Sequence, residues 1–249
     1  MRAGGGECSR ACLRRQAACA RAGYRAVVIS RHTRRDDGAS GAGDETDGVD
    51  IERLRELALD KKVVAIGECG LDYFRIMNNE SGIKERQKEV FLDQAKLAQE
   101  LNKALMIHCR PSKGTDDAYE DLLTIIPNSK FLIPKIIHFY VGSLEITKKL
   151  VAAGFYFTFG GVITFLPRRS HLAEAGAGDY DEAIKYIPLN RILLETDCPY
   201  VAPQSQRGKR NEPAFILETA RKLAELKNLD FDKILGEIYT NARTVFKII

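Results

Sequence analysis

No run of apolar residues in this chain approaches the about 18 needed to cross a bilayer, so no transmembrane helix is expected. The opening MRAGGGECSRACLRR carries charge but no apolar segment of the kind that drives secretion. Its Arg-rich, acid-poor composition has something in common with organellar transit peptides, yet a cytoplasmic location is expected, with the nucleus as the alternative. The six cysteines (Cys8, Cys12, Cys19, Cys69, Cys109 and Cys198) include no Cys-x-x-Cys pair, which excludes a zinc finger and points to reduced thiols. No Gly-x-Gly-x-x-Gly turn occurs, so a dinucleotide-binding sheet is not expected. Charge imbalance is slight too: with 38 basic and 34 acidic residues the formal net charge is +4, which permits a nucleic-acid partner without demanding one.

What is present is core-forming sequence. The 249 residues, 45% of them hydrophobic, suit one barrel-sized α/β domain. Residues 1–48 stand apart, with Arg clusters, Gly runs and the polar stretch RRDDGASGAGDETDGVD. They are expected to form a divergent, partly disordered segment with one strand at 26–30. From residue 49 to 249 strand and helix patterns alternate. Strands are expected at 63–68, 104–109, 135–140, 155–159 and 191–196, with helices near 50–59, 83–102, 116–126, 143–153, 181–186, 212–225 and 231–246. Such alternation predicts a parallel sheet of βα units, here a TIM-type (β/α) barrel incomplete at its N-terminal strands. Six strands fall short of the eight that close such a barrel.

Four of the short apolar runs end in a metal-capable side chain: VVAIGE at Glu68, ALMIHCR at His108, KIIHFY at His138 and RILLETD at Asp197. In barrel enzymes the reactive groups sit at the C-terminal ends of strands, where all four fall. Glu, His, His and Asp on one rim could share a cation and activate a water for hydrolysis. Each residue also has a plainer reading. Glu68 could pair with an Arg or cap a turn, His108 and His138 could be structural, and Asp197 could cap the turn before Pro199. The basic loop Arg207–Pro213, just before a helix, could hold phosphate or be merely solvated. His32, and His171 beside Arg168 and Arg169, are expected at the surface.

The ordered motifs AIGECGLDYF, MIHCR, IIHFYVGS, GFYFTFGG, ILLETDCPYVAP and RNEP resemble those of the TatD family of metal-dependent hydrolases over roughly residues 50–249. The resemblance implies a TIM-type barrel and a metal-dependent deoxyribonuclease, often trimming DNA from the 3′ end. It implies one or two divalent cations (Mg2+, Mn2+ or Zn2+) held by Glu68, His108, His138 and Asp197. Glu68 and Asp197 would be catalytic, and Tyr73, Arg110, Arg210 and Asn211 would line the DNA side. No membrane partner is implied. One departure is plain: the family's first strand carries His-x-His, and no His-x-His occurs here. That removes two ligands of the first cation and leaves two alternatives open. One is a degenerate, non-catalytic paralogue that binds nucleic acid or a protein; the other is a hydrolase of amide or ester bonds.

Overall fold

The computed structural model describes residues 25–27, 49–74, 76, 81–127, 130–165 and 180–248. Of the expected divergent segment at 1–48, only residues 25–27 fall among these; the rest of it, with His32, His171 and most of the 166–180 loop, lies outside the described residues. Six parallel strands run in sequential order across one sheet. They are β1 (Arg25–Val27), β2 (Val63–Asp72), β3 (Ala104–Arg110), β4 (Lys135–His138), β5 (Tyr156–Phe159) and β6 (Ile192–Leu194). Seven α-helices accompany them: α1 (Ile51–Ala58), α2 (Ser81–Glu100), α3 (Asp117–Ile125), α4 (Leu144–Ala152), α5 (Tyr180–Tyr186), α6 (Ile216–Lys227) and α7 (Phe231–Phe246). Sequential parallel order with a helix in each crossover is the arrangement of a (β/α) barrel wall, open here between β1 and β6 among the described residues.

Local signals set the helix ends. Asp50 accepts from Arg53 N at 2.9 Å to start α1, and Ser143 accepts from Ile146 N at 3.2 Å to start α4. Asp230 caps α7 through Asp232 N at 2.8 Å, and Asn228, at φ +51°, turns the chain out of α6.

The sheet's two faces have different jobs. Leu105, Ile107, Cys109, Ile137, Phe157, Phe159 and Ile192 pack outward under the helices in the main core. Ala104, Ile136 and Leu193 lie on the other face with Ala65, where Val245 of α7 packs against them. Asn241 locks α7 there by donating to Leu189 O and Ile192 O, each at 2.8 Å. Side chains alternate along a strand, so this inner face continues upward as His108 above Ala104, His138 above Ile136, Thr158 above Tyr156 and Glu195 above Leu193.

β2 reaches that face by a different route. Ile66 pairs with Leu105 and Cys69 with Ile107, so two residues, Gly67 and Glu68, oppose Met106 alone. This bulge resets the alternation. Ile66 before it and Cys69 and Leu71 after it all face the helices. Glu68 and Asp72 are thereby released to the inner side. The expectation that β2 stops at Glu68 is corrected: the ladder resumes beyond the bulge through Asp72, opposite Arg110.

A buried lysine stands on the helix side. Lys135 is 1% exposed and donates to Phe131 O at 3.1 Å, with Phe155 against its ammonium. Burial, helped by nearby Arg191, lowers its pKa to about 8. The unfolded chain holds this proton up to about pH 10.4. Between about pH 8 and that value the unfolded state therefore binds more protons, and stability rises with pH. Lys135→Met is expected to lose this gain, so wild type should improve relative to the variant between pH 8 and pH 10 and not below pH 7. Urea midpoints of both proteins across that range test it, and a constant gap would show that Lys135 titrates normally.

Candidate metal centre

Each candidate group arrives at the same mouth because its strand ends there. His108 and His138 are directly paired across β3 and β4, so the two imidazoles start side by side. Glu68 Oε1 lies 2.7 Å from His138 Nε2, and Asp197 Oδ1 lies 3.7 Å from the same nitrogen. Three strand ends (β2, β4 and β6) thus bring Glu68, His138 and Asp197 together, all three largely buried. His108 is held at a neighbouring position, its Nε2 3.2 Å from Asp72 Oδ2.

Two carboxylates that the sequence reading left without a role organise the imidazoles. Glu195 Oε2 lies 2.5 Å from His138 Nδ1 and accepts from Thr158 Oγ1, also at 2.5 Å. A carboxylate on the far nitrogen fixes the ring's orientation and raises its basicity. Asp72 does the same for His108. Its backbone is fixed by Gln87, which accepts from Asp72 N at 2.8 Å and donates to Asp72 O at 3.2 Å. For Glu195 the signal was available as parity, since it sits two residues before Asp197; for Asp72 the bulge in β2 masks it.

The backbone is also constrained here. Phe139 and Asp197, each just beyond its strand, both adopt φ +51°. The left-handed region costs a non-glycine residue roughly 1–2 kcal/mol. Phe139 N donates to Thr158 Oγ1 at 3.0 Å, which helps hold that turn. The loop after Asp197 is pinned from below by Asn211, whose amide donates to Thr196 O, to Tyr200 O at 2.6 Å and to Val201 O.

Electrostatics at His138 are opposed. Burial alone would lower its pKa, but Glu195 and Glu68 outweigh it and hold the imidazolium well above its ordinary range. Asp72 is also displaced: desolvation would raise its carboxyl, yet the contact with His108, with a contribution from Arg110, leaves it lowered.

The donors suit a divalent cation, since imidazole and carboxylate are its common ligands. The spacing is that of a proton-bridged pair. Ligands on bonds of about 2.1 Å in a tetrahedral site stand about 3.4 Å apart, whereas Glu68 and His138 are within hydrogen-bond distance. No group of three or more His, Cys, Asp or Glu among the described residues is spaced as a ready metal site. A cation entering between Glu68, His138 and Asp197 would displace the Nε2 proton and part the pair by less than 1 Å, a change within ordinary side-chain adjustment. Glu195 Oε1, buried with no hydrogen-bond partner among the described residues, marks further donor capacity in the same cluster.

The remaining expected residues divide. Arg110 and Arg210 are exposed at the rim, Arg110 at the end of β3 and Arg210 in the loop following β6. Tyr73 and Asn211 are buried. Tyr73 is fully buried with its hydroxyl on Asp121 Oδ2 at 2.8 Å, and Asn211 is 2% exposed with its amide committed to the three carbonyls. Their expected place on the DNA side gives way to a framework role, because each spends its polar atoms on the protein itself.

Comparison with known proteins shows the family and the fold. The family model described as "TatD related DNase" matches residues 22–247. A relative from Bacillus subtilis, named "Uncharacterized metal-dependent hydrolase YabD", is 38% identical over 200 residues, covering 80% of this chain and 71% of that protein. A relative from Escherichia fergusonii, named "3'-5' ssDNA/RNA exonuclease TatD", is 32% identical over 202 residues, covering 79% and 71%. The crystal structure of YJJV, a TatD homolog from Escherichia coli, superposes with a TM-score of 0.65 at 27% identity, covering 80% of this chain and 70% of that one. A family match across nearly the whole described fold, with strand-end carboxylates and imidazoles converging as they do, leads to one conclusion: the chain belongs to the TatD-related DNase family.

Proposed function

We propose that this protein is a metal-dependent hydrolase of phosphodiester bonds in nucleic acid, working inward from a 3′ end. The observation that carries the reading is the meeting of Glu68, His138 and Asp197 from three separate strands, at 2.7 and 3.7 Å. The metal-dependent and exonuclease names of the relatives support the metal and the substrate. Glu68, His138 and Asp197 would hold a divalent cation with His108 alongside. When bound, it would supply positive charge to a phosphate oxygen and acidify a water.

The chain's own residues account for the remaining steps. Asp197 takes the proton of the attacking water as general base. The water oxygen bonds to phosphorus, the bridging P–O bond breaks, and the proton passes to the departing oxygen. Glu195 and Thr158 keep His138 in one orientation throughout, so its Nε2 stays directed at Glu68 and Asp197. Arg210, exposed in the loop following β6, supplies charge for a flanking phosphate.

The test is digestion of 3′-labelled single-stranded DNA by metal-reconstituted protein, with and without EDTA, alongside metal analysis. Expected are nucleotide release that EDTA abolishes and at least one tightly held divalent ion. A second reading, a non-catalytic paralogue that binds nucleic acid, is favoured by the absence of a ready three-ligand group among the described residues. Protein that takes up no divalent ion and releases no nucleotide would establish it.

A further inference from the structure

Beside His108 the rim carries a flat, exposed step. The guanidinium of Arg110 lies over the Phe74 ring at 3.8 Å from its centre, and Phe74 is 43% exposed. Cation–π pairs are common in proteins, about one per 70–80 residues. Others occur here, Arg207 over Phe165 in the loops after β6 and β5 and Arg243 over Tyr239 on α7. What separates the Phe74 step is how it is fixed. Asp72 Oδ1 accepts from Phe74 N at 3.2 Å, while its Oδ2 faces His108 Nε2 at 3.2 Å. Tyr73 N, between them, donates to Arg110 O at 2.8 Å. One carboxylate therefore ties the aromatic ring to the imidazole, and β2 and β3 hold the arginine on the ring.

We infer that Phe74 and Arg110 form a stacking platform for one nucleobase, next to the phosphate at the Glu68–His138–Asp197 cluster. This rests on the phosphodiesterase reading and extends it to a positioning site. Every base offers a π-face, so the platform is tolerant of sequence but requires a base that is unpaired and turned out. Arg110 then acts through its plane and not as a fork on phosphate, and Lys could not replace it. Asp72 is the coupling element: a base seated on Phe74 is held in register with His108 because both are fixed by the same carboxylate.

The test uses the full chain with single-stranded oligonucleotides in which an abasic residue is stepped through the three positions nearest the 3′ end. Two readouts are taken for each, kcat/KM for nucleotide release and Kd by fluorescence anisotropy. Wild type is expected to lose about 10-fold at one of these positions when the base is missing. Phe74→Leu should bind the normal strand about as poorly as wild type binds the abasic one, and should no longer distinguish the two. Phe74→Trp should restore the distinction, and Arg110→Lys should weaken it. Tyr239→Ser, which removes the remote stack, should keep it. Discrimination that survives in Phe74→Leu, or that is lost equally in Tyr239→Ser, overturns the platform, as does a wild type indifferent to all three abasic positions. Absence of hydrolysis by wild type would refute the phosphodiesterase reading alone, because the anisotropy series still decides whether a base stacks on Phe74.

Discussion

Asp197→Asn is expected to lower kcat/KM for nucleic-acid hydrolysis about 10³-fold while the protein folds as before. The choice of Asn matters. Asp197 sits at φ +51°, a conformation in which Asn is comfortable and Ala is strained. Asn also preserves the side-chain volume beneath the loop that Asn211 pins. What it removes is the negative charge and the proton-accepting oxygen, so the loss reports chemistry. Removing a positioned general base alone costs about 10²–10⁴-fold. The same change also takes one of two carboxylates from the far side of His138 Nε2. Glu68→Gln, which leaves an amide where Glu68 Oε1 now meets His138 at 2.7 Å, should produce a loss of similar size. Combining the two should cost little more than either, since groups that work as one unit are not additive. Thermal unfolding of the variants supplies the structural control. Cleavage by both variants at the wild-type rate would mean that the activity belongs to a contaminant and that the cluster is inert.

Much of this centre was legible in the sequence because parallel strands advertise their ends. VVAIGE, ALMIHCR and KIIHFY run apolar and then turn polar, and a buried strand can end in Glu or His only where something compensates the polar group. The strands found at 63–72, 104–110, 135–138 and 156–159 follow from that pattern. Less legible were residues whose importance comes from contact across the sheet. Glu195 is read along the chain as a neighbour of Asp197, yet its function depends on Thr158 and His138, 37 and 57 residues away. Asp72 was hidden by the bulge, because strict alternation counted from Ile66 places it on the helix side. Tyr73 and Asn211 are the opposite case. A polar side chain beside a motif looks available along the chain, yet Asp121 engages one and three carbonyls the other.

Gly70→Ala is expected to be strongly destabilising, costing about 2–6 kcal/mol. Gly70 has φ +148°, and a Cβ built on it would run into the carbonyl oxygen of His108 on the neighbouring strand. Two penalties combine. A non-glycine residue in that essentially glycine-only region is strained by roughly 1–3 kcal/mol. Forcing a methyl into packed neighbours adds typically 1–3 kcal/mol, and here the neighbour is backbone that cannot rotate away. Gly67, at φ +139°, meets Met106 O in the same way, so a side chain is excluded both within the bulge and just after it. Domains of this kind are stable by only about 5–15 kcal/mol, so the change removes a large share of the margin. The functional consequence follows from geometry. Gly70 is the residue paired with His108, and the register it keeps is what carries Glu68 and Asp72 to the inner face. Relieving the clash by parting β2 from β3 would separate Glu68 from His138 and Asp72 from His108 together. Denaturant unfolding should show the loss of stability, and any folded fraction should have lost divalent-ion affinity as well. A Gly70→Ala protein with wild-type stability would mean that β2 and β3 do not approach as described, and that the bulge is not what delivers Glu68 to the centre.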